Sequence, residues 1–241
     1  MQVDINSRQN FTSLNNPIRP FTVKTKRGKV FVRELGANDL RKKGVIERLT
    51  KLFIKNFASL TNNPEWLIFN NPNEAEKCSD VFIDFVGYMK GKLLKPDGNL
   101  TLLAVFDKNK RLQGACMSFG FDEVPAGKKS VCYIESLAVN KLYRGEGLGK
   151  VLVNKTLSSA KKTFTDVFLT GENLAEGFYK KLGFKHLDSN DKAQKTVIDF
   201  IAQDRRDYPD YVSFLTKPLQ ESKPRWYINT AYEIEKLNEM F

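Results

Sequence analysis

The sequence contains few residues of the types that bind metals or cross-link chains. It has three cysteines and one histidine, His186, in 241 residues. The cysteines, at positions 78, 116 and 132, form no Cys-x-x-Cys pair, so a zinc site of cysteine and histidine is excluded and we predict no metal site. Cys116 and Cys132 lie within apolar runs, and we interpret both as buried side chains in a reducing cytoplasm.

Long apolar segments are also missing. The longest apolar run, Leu100–Phe106, is far shorter than the ~18 residues that a membrane-spanning helix needs. The first residues, MQVDINSRQNF, lack the apolar stretch of a secretory signal. With 41% hydrophobic and 28% charged residues, the composition is that of a globular protein. We therefore expect a cytoplasmic globular chain with no membrane partner.

Positive charge is concentrated near the N-terminus. The formal net charge is +11, and residues 1–60 carry 13 lysines and arginines against 4 acidic residues. A basic surface attracts polyanions such as nucleic acid or a phosphorylated cofactor, and it is equally compatible with a solvated face that has no partner. The charge alone does not choose between these interpretations.

The order of the predicted elements is mixed. A strand over Lys29–Leu35 precedes two helices, and three strands joined by short connections then predict an antiparallel meander. These three strands are Leu100–Phe106, Leu112–Phe121 and Ser130–Val139. Alternating helices and strands follow. The predicted fold class is α/β, with a mixed, mostly antiparallel central sheet flanked by helices.

The remaining elements are predicted from helical or alternating spacing of apolar residues. Helices are expected over about 45–60, 74–94, 147–164, 175–182, 191–203 and 230–241, and strands over 166–170, 184–187 and 211–216. Asn38 or Asp39 is expected to cap the first helix, and Gly183 to end the helix at 175–182. We divide the chain into a polar arm (1–28), a main domain (29–219) and a helical tail (220–241), which packs on the core or on a second copy in a homodimer.

One segment carries the chemistry. A strand, Tyr133–Val139, leads through a loop into a helix, and the junction reads Arg144, Gly145, Glu146, Gly147, Leu148, Gly149 and Lys150. Backbone N–H groups at a helix N-terminus have no intrahelical partners, so this junction predicts an anion site. The glycines let a diphosphate approach the backbone, and two basic side chains add charge. The loop is not a P-loop, and it lacks the third glycine of the dinucleotide fingerprint.

The junction resembles the signature of the GNAT superfamily of acyl-CoA-dependent N-acetyltransferases, R/Q-x-x-G-x-G/A at the start of a helix. Arg144, Gly147 and Gly149 match it. The preceding strand ends in Leu137-Ala138-Val139, as the family expects. A second block is supplied by Asn173, Ala175, Phe178, Tyr179, Lys180, Gly183 and Phe184. The resemblance covers about residues 30–187 and implies a GNAT-like fold.

The resemblance also implies roles for individual residues. Acetyl-CoA is the expected donor and CoA the product. The strand Leu137, Ala138 and Val139 pairs with the pantetheine arm as an added strand would. The backbone amides from Arg144 to Lys150 hold the pyrophosphate, and Asn173 bonds the pantetheine near its thiol end. Tyr179 lies beside the thioester sulfur as general acid, since a phenol of pKa ~10 can protonate a departing thiolate.

The resemblance also makes Glu135 the candidate general base, since it lies in the central strand two residues before Leu137, as in small-polyamine acetyltransferases of the family. A primary amine of pKa ~10 must lose a proton before it attacks the thioester. Apolar neighbours are expected to raise the pKa of this carboxyl group. The alternatives are that Glu135 only attracts a cationic substrate or pairs with a lysine, that Tyr179 is a core aromatic residue, and that Asn173 caps its helix.

The predicted function is transfer of an acetyl group to a primary amine on a small molecule or a protein. The alternative is a weakly catalytic or non-catalytic GNAT-like module that binds nucleic acid through its basic N-terminal quarter. The intact block around Asn173 and Tyr179 favours the enzyme. The acceptor groove is expected near Phe57, Trp66 and Phe69. An acidic, aromatic wall of Asp204, Asp207, Tyr208, Asp210 and Tyr211 competes with an ordinary solvated turn.

Overall fold

The computed structural model describes residues 18–58, 79–94, 99–124, 129–160, 164, 166–186, 212–218 and 228–229. Five α-helices lie in this part of the chain: α1 (Ala37–Leu40), α2 (Val45–Ala58), α3 (Ser79–Leu94), α4 (Leu148–Ala160) and α5 (Asn173–Lys181), and a short 3-10 helix spans Lys141–Tyr143. The first five strands are β1 (Phe21–Thr25), β2 (Gly28–Glu34), β3 (Asn99–Phe106), β4 (Leu112–Val124) and β5 (Lys129–Val139). Four more follow: β6 (Asp166–Glu172), β7 (Lys185–His186), β8 (Val212–Pro218) and β9 (Ile228–Asn229).

All nine strands join one sheet in the order β1-β2-β3-β4-β5-β6-β8-β7, with β9 also paired to β8. Only β5 and β6 run parallel among the strand pairs of the described residues. The α/β class with a mixed, mostly antiparallel sheet is therefore confirmed. The predicted meander of β3, β4 and β5 is confirmed as well.

Two hydrophobic cores lie on opposite faces of the sheet. The α4-side core includes Val30, Leu103, Cys132, Ile134, Leu152, Tyr179 and Phe184. The α2-side core includes Leu40, Leu49, Phe53, Met89, Leu102, Met117 and Ala138. Since successive residues of a strand point to opposite faces, β3 supplies Leu103 to one core and Leu102 to the other. Strands β3 to β5 therefore lie at the centre, between the two helical layers.

Two local predictions were wrong at the N-terminal end. The arm expected over residues 1–28 ends earlier, because Phe21–Thr25 pairs with β2 as strand β1. The expected cap is also absent: Gly36 occupies the N-cap position of α1, while Asp39 lies inside the helix. The Asp39 carboxylate instead accepts hydrogen bonds from Arg33 Nη1 at 2.7 Å and Lys42 Nζ at 2.9 Å. Charge-assisted bonds of this kind are stronger than a bond to a neutral backbone amide.

Other predictions fall where expected or lie outside the described residues. Gly183 has φ of 81°, and Phe184 N donates to Tyr179 O at 3.0 Å, so the glycine ends α5 as predicted. Cys116 and Cys132 are buried free thiols. The predicted helices 191–203 and 230–241, the acidic wall between 204 and 211, Trp66 and Phe69 lie outside the described residues. So do the side chains of Phe57, Asn173 and His186.

Candidate functional site

The parallel strands β5 and β6 separate part-way along their length. Their pairing runs from Val131 opposite Asp166 to Ile134 opposite Leu169. Beyond Ile134, β5 continues to Val139 in register with β4 only, and beyond Leu169, β6 is paired with β8 only. The stretch from Glu135 to Val139 thus has one edge that no described strand covers. Such an edge presents backbone donors and acceptors that an extended ligand can pair with.

A β-bulge marks the place where the strands separate. Ser118 of β4 is opposite Ile134, but its neighbour Met117 is opposite Ser136, so Glu135 is the additional residue on β5. A bulge of this kind re-aims the side chains that follow it. Before the bulge, Cys132 and Ile134 belong to the α4-side core, and after it Leu137 and Val139 pack there. Glu135 is therefore the residue at which the side chains that point into the α4-side core switch from even-numbered to odd-numbered positions of β5.

The hydrogen-bond pattern defines which backbone groups face the uncovered edge. Asn140 N donates to Gln113 O at 2.8 Å, one residue beyond the pair Val139–Gly114. In an antiparallel ladder, hydrogen-bonded and non-hydrogen-bonded pairs alternate. Ala138 therefore bonds to β4, whereas the N–H and C=O groups of Leu137 and Val139 point away from it. These are the two residues whose backbone is expected to pair with pantetheine.

The glycine loop joins the end of this edge to the N-terminus of α4. Val151 N donates to Gly147 O at 3.0 Å, so the amides of Leu148, Gly149 and Lys150 begin the helix without intrahelical acceptors. Gly147 has φ of 81° and Gly145 has φ of 78°, a backbone region that only glycine adopts readily. A Cβ at either residue meets no atom within 4 Å, so the space over the loop is open. This geometry suits the close approach of a diphosphate.

Gly149 brings the helix of the second sequence block against the loop. A Cβ at this position would lie 3.2 Å from Phe178 Cζ and 3.9 Å from Val139 Cγ2. Tyr179, which follows Phe178, is only 7% exposed. Its ring packs edge-on against the rings of Phe178 and Phe184, with centroids 5.1 and 5.8 Å away. The missing side chain of Gly149 therefore lets α5 approach both the loop and the end of β5.

The Arg144 side chain turns towards α2. Its Nη2 donates to Asn56 Oδ1 at 2.7 Å and its Nε donates to Val139 O at 3.3 Å. Burial lowers the pKa of the guanidinium below its ordinary value. Asn56 is 6% exposed and its Nδ2 donates to Leu52 O at 2.7 Å. Arg144 thus links the loop, the end of β5 and helix α2, and its predicted contact with phosphate stays a prediction.

The Glu146 side chain connects the loop to the β1–β2 hairpin. Its Oε2 accepts a hydrogen bond from Lys26 N at 2.5 Å, and its Oε1 lies 3.9 Å from Arg27 Nε. Arg27 Nε also donates to Leu142 O at 2.6 Å. The basic hairpin tip therefore neutralises the one acidic side chain of the junction between Arg144 and Lys150.

Glu135 and the first residue of α5 complete the site. The Glu135 side chain is half-buried, and its Oε1 accepts a hydrogen bond from the Tyr88 hydroxyl of α3 at 3.2 Å. Asn173 is the first residue of α5, directly after β6. Three contributors were missed by sequence reasoning: Asn56, Tyr88 and the hairpin tip. None carries a local signal, because each meets its partner across 47 to 120 residues of chain.

Comparison with known proteins agrees with this geometry. Residues 62–184 match the acetyltransferase (GNAT) family. The chain belongs to the GNAT acetyltransferase family. It is therefore an acyl-transferring enzyme, and the recognition made from the glycine loop and the Tyr179 block is confirmed. No curated protein matches the sequence closely enough to be counted as a relative.

Three solved structures are similar to this chain. PH1933 from Pyrococcus horikoshii OT3 is 16% identical, with 78% of this chain and 98% of that chain covered and a TM-score of 0.53. A GNAT acetyltransferase from Staphylococcus aureus Mu50 gives 15% identity, 79% and 99% coverage and a TM-score of 0.49. The PaiA N-acetyltransferase from Thermoplasma acidophilum, in complex with coenzyme A, is 16% identical, with 78% of this chain and 98% of that chain covered and a TM-score of 0.46. At such identities the likeness to PH1933 shows the fold of this GNAT protein.

Two kinds of feature are absent from the described part of this GNAT protein. No three histidine, cysteine, aspartate or glutamate side chains there come together as a metal ion would require. No helix there is both long and apolar enough to cross a membrane.

Proposed function

We propose that this GNAT enzyme transfers the acetyl group of acetyl-CoA to a primary amine by direct attack, with Glu135 as general base and Tyr179 as general acid. The observation that carries the proposal is the separation of β5 from β6 at Ile134. It leaves the outward backbone groups of Leu137 and Val139 on an uncovered edge beside a glycine loop at a helix N-terminus, where Val139 O also accepts a hydrogen bond from Arg144 Nε.

The residues present fit an extended ligand that ends in a diphosphate. The outward backbone groups of Leu137 and Val139 supply donors and acceptors at the spacing of a β-strand. The amides of Leu148, Gly149 and Lys150 and the dipole of α4 favour negative charge at the next position along the same path. When bound, acetyl-CoA supplies the thioester whose acetyl group is transferred.

The proposed acid and base lie on different sides of the sheet. Tyr179 belongs to the α4-side core, whereas Glu135 bonds to Tyr88 of α3, next to Met89 of the α2-side core. An acyl group held at the edge between them would meet the amine on the Glu135 side and release the thiol on the Tyr179 side. This separation suits direct transfer, because the amine would approach beside the proposed base and the thiol would leave beside the proposed acid.

The proton movements follow from the two side chains. Glu135 accepts a proton from the ammonium form of the acceptor, whose ordinary pKa of ~10.4 keeps it charged at neutral pH. Tyr179 donates its phenolic proton to the departing thiolate. The nitrogen loses its second proton as the amide forms, and exchange with bulk solvent returns one proton to Tyr179 and removes one from Glu135. The predicted upward shift of the Glu135 pKa stays an expectation.

The two described thiols do not support a covalent acyl-enzyme route. Burial raises the pKa of Cys116 to about 11 and that of Cys132 to about 12. Only the thiolate is an effective nucleophile, and neither group forms it appreciably at neutral pH. Direct attack by the amine is therefore the mechanism that these residues favour.

Ligand binding is tested by thermal unfolding with acetyl-CoA and with NAD as comparator. Ligand at ~100 times its dissociation constant stabilises the native state by about 2.7 kcal/mol. For a chain of this size that raises the unfolding midpoint by roughly 5–11 °C. We expect this shift with acetyl-CoA and none with NAD. Equal shifts, or none with any CoA ester, would contradict the cofactor assignment.

The residue roles are tested by Tyr179→Phe and Glu135→Gln, with CoA release followed during turnover of amine substrates. General acid–base groups contribute typically 10²–10⁴-fold, so each variant should lower kcat by about 10²-fold or more while the Kd of acetyl-CoA changes less than about twofold. Tyr143→Phe and Glu47→Gln are the matched controls, because Tyr143 is also a buried tyrosine of the α4-side core and Glu47 is also half-buried. Full activity in the two site variants would refute the assigned roles.

A further inference from the structure

Tyr88 is placed where it can act on the proposed base. Its hydroxyl donates to Glu135 Oε1 at 3.2 Å, across 47 residues of chain. Its side chain is 42% exposed, although its neighbour Met89 is almost fully buried in the α2-side core. Met89 and Leu93 anchor α3 against the sheet, so the Tyr88 ring is held beside the bulge on β5 while part of it faces solvent.

The carboxylate needs such a partner because of its position. Glu135 is the additional residue of the bulge and follows the last residue of β5 that pairs with β6. A glutamate side chain has three rotatable bonds, and a hydrogen bond from a fixed donor to one oxygen directs the other oxygen. The donor comes from α3, on the side of the sheet from which the acceptor amine is proposed to enter.

We infer that Tyr88 is a positioning residue for Glu135, and that its exposed ring forms one wall of the binding site for a cationic primary amine. The inference rests on the proposed function. The hydroxyl orients the carboxylate, and the ring beside it offers the face on which an alkylammonium group binds by a cation–π interaction. Glu135 and Tyr88 together thus select an amine that arrives protonated and loses its proton at Glu135.

Two substitutions separate the hydroxyl from the ring. Tyr88→Phe keeps the ring, so kcat should fall about five- to tenfold while the KM of the amine changes less than about twofold. Tyr88→Leu removes both, so the KM of the amine should also rise about threefold, with acetyl-CoA affinity unchanged. Lys90→Ala is the control, because Lys90 is exposed on the same helix two residues away and points in a different direction. Unfolding midpoints within about 2 °C of the wild type verify that the variants are folded.

A double-mutant cycle tests whether Tyr88 acts through Glu135. Tyr88→Phe should lower kcat in the wild type but change it less than about twofold in the Glu135→Gln background. Equal losses in both backgrounds, or no loss in the wild type, would overturn the role of Tyr88 and leave the proposed base intact. An unchanged kcat for Glu135→Gln alone would overturn the proposed base, and the inference about Tyr88 with it.

Discussion

Asn56 offers a sharp test of how the glycine loop is held in place. The residue is buried in α2, yet its Oδ1 accepts a hydrogen bond from Arg144 Nη2 at 2.7 Å. Asn56→Ala removes this bond and leaves a partly desolvated guanidinium without that acceptor. Hydrogen bonds to charged groups contribute ~1.5–3 kcal/mol, and we take about 2 kcal/mol because Arg144 is partly exposed. The unfolding midpoint should then fall by about 4–8 °C.

The same substitution should weaken binding of acetyl-CoA. Arg144 begins the junction whose amides are proposed to hold the pyrophosphate, and its Nε also bonds to Val139 O. Without Asn56 the arginine no longer links α2 to β5, so the loop must be ordered by the ligand itself. We expect the Kd of acetyl-CoA, measured by calorimetry, to rise at least about threefold.

Asn56→Asp is the matched control. A carboxylate at this position still accepts from Arg144, and it offsets the burial that lowers the pKa of the guanidinium. This variant should therefore retain the wild-type midpoint and affinity, although it lacks the donor to Leu52 O. The proposed role of this contact is refuted if Asn56→Ala has the wild-type midpoint and acetyl-CoA affinity, or if Asn56→Asp loses as much midpoint and affinity as Asn56→Ala.

Gly147→Ala should lower the free energy of unfolding by about 1 kcal/mol because Gly147 has a φ of 81°. It should weaken acetyl-CoA binding by more than this amount of free energy. Gly177→Ala, where a Cβ also meets open space, should instead raise the unfolding midpoint. A calorimetric midpoint that is higher for Gly147→Ala than for Gly177→Ala would contradict this reasoning. The hydrogen bond from Arg33 holds the pKa of Asp39 well below its usual range. The stability that this ion pair contributes is therefore present above the unfolded pKa of ~3.9 and is lost as pH falls towards the folded pKa. The urea midpoint of Asp39→Asn should consequently drop less from pH 7 to pH 3 than that of the wild type. An unchanged pH dependence would exclude this pairing as its source.

Much of the fold could be predicted because its signals are local. The meander of β3 to β5 follows from alternating apolar residues and short connections, and Gly183 ends α5 because a left-handed φ favours glycine. Strand β1 was missed, although Phe21 and Val23 alternate with polar residues, because the neighbouring composition is polar and rich in proline and asparagine. Whether such a short segment pairs depends on the partner strand β2, which local patterning does not include.

The candidate site divides in the same way. The glycine junction and the block around Tyr179 are contiguous in the chain, since a loop that presents backbone amides needs residues of particular φ at particular spacings. The sequence alone was therefore sufficient to predict the family and the enzyme class and to propose a candidate acid and base. It also located the strand that is expected to pair with pantetheine.

Only the tertiary structure decided how these parts are held. The bulge at Glu135 depends on the register between β4 and β5, and register is a property of two strands together. The partners of Arg144 and Glu135 are Asn56 and Tyr88, which lie 88 and 47 residues away along the chain. Side-chain contacts over such separations form only when both hydrophobic cores have packed, because packing, rather than local backbone preference, brings the helices to the sheet.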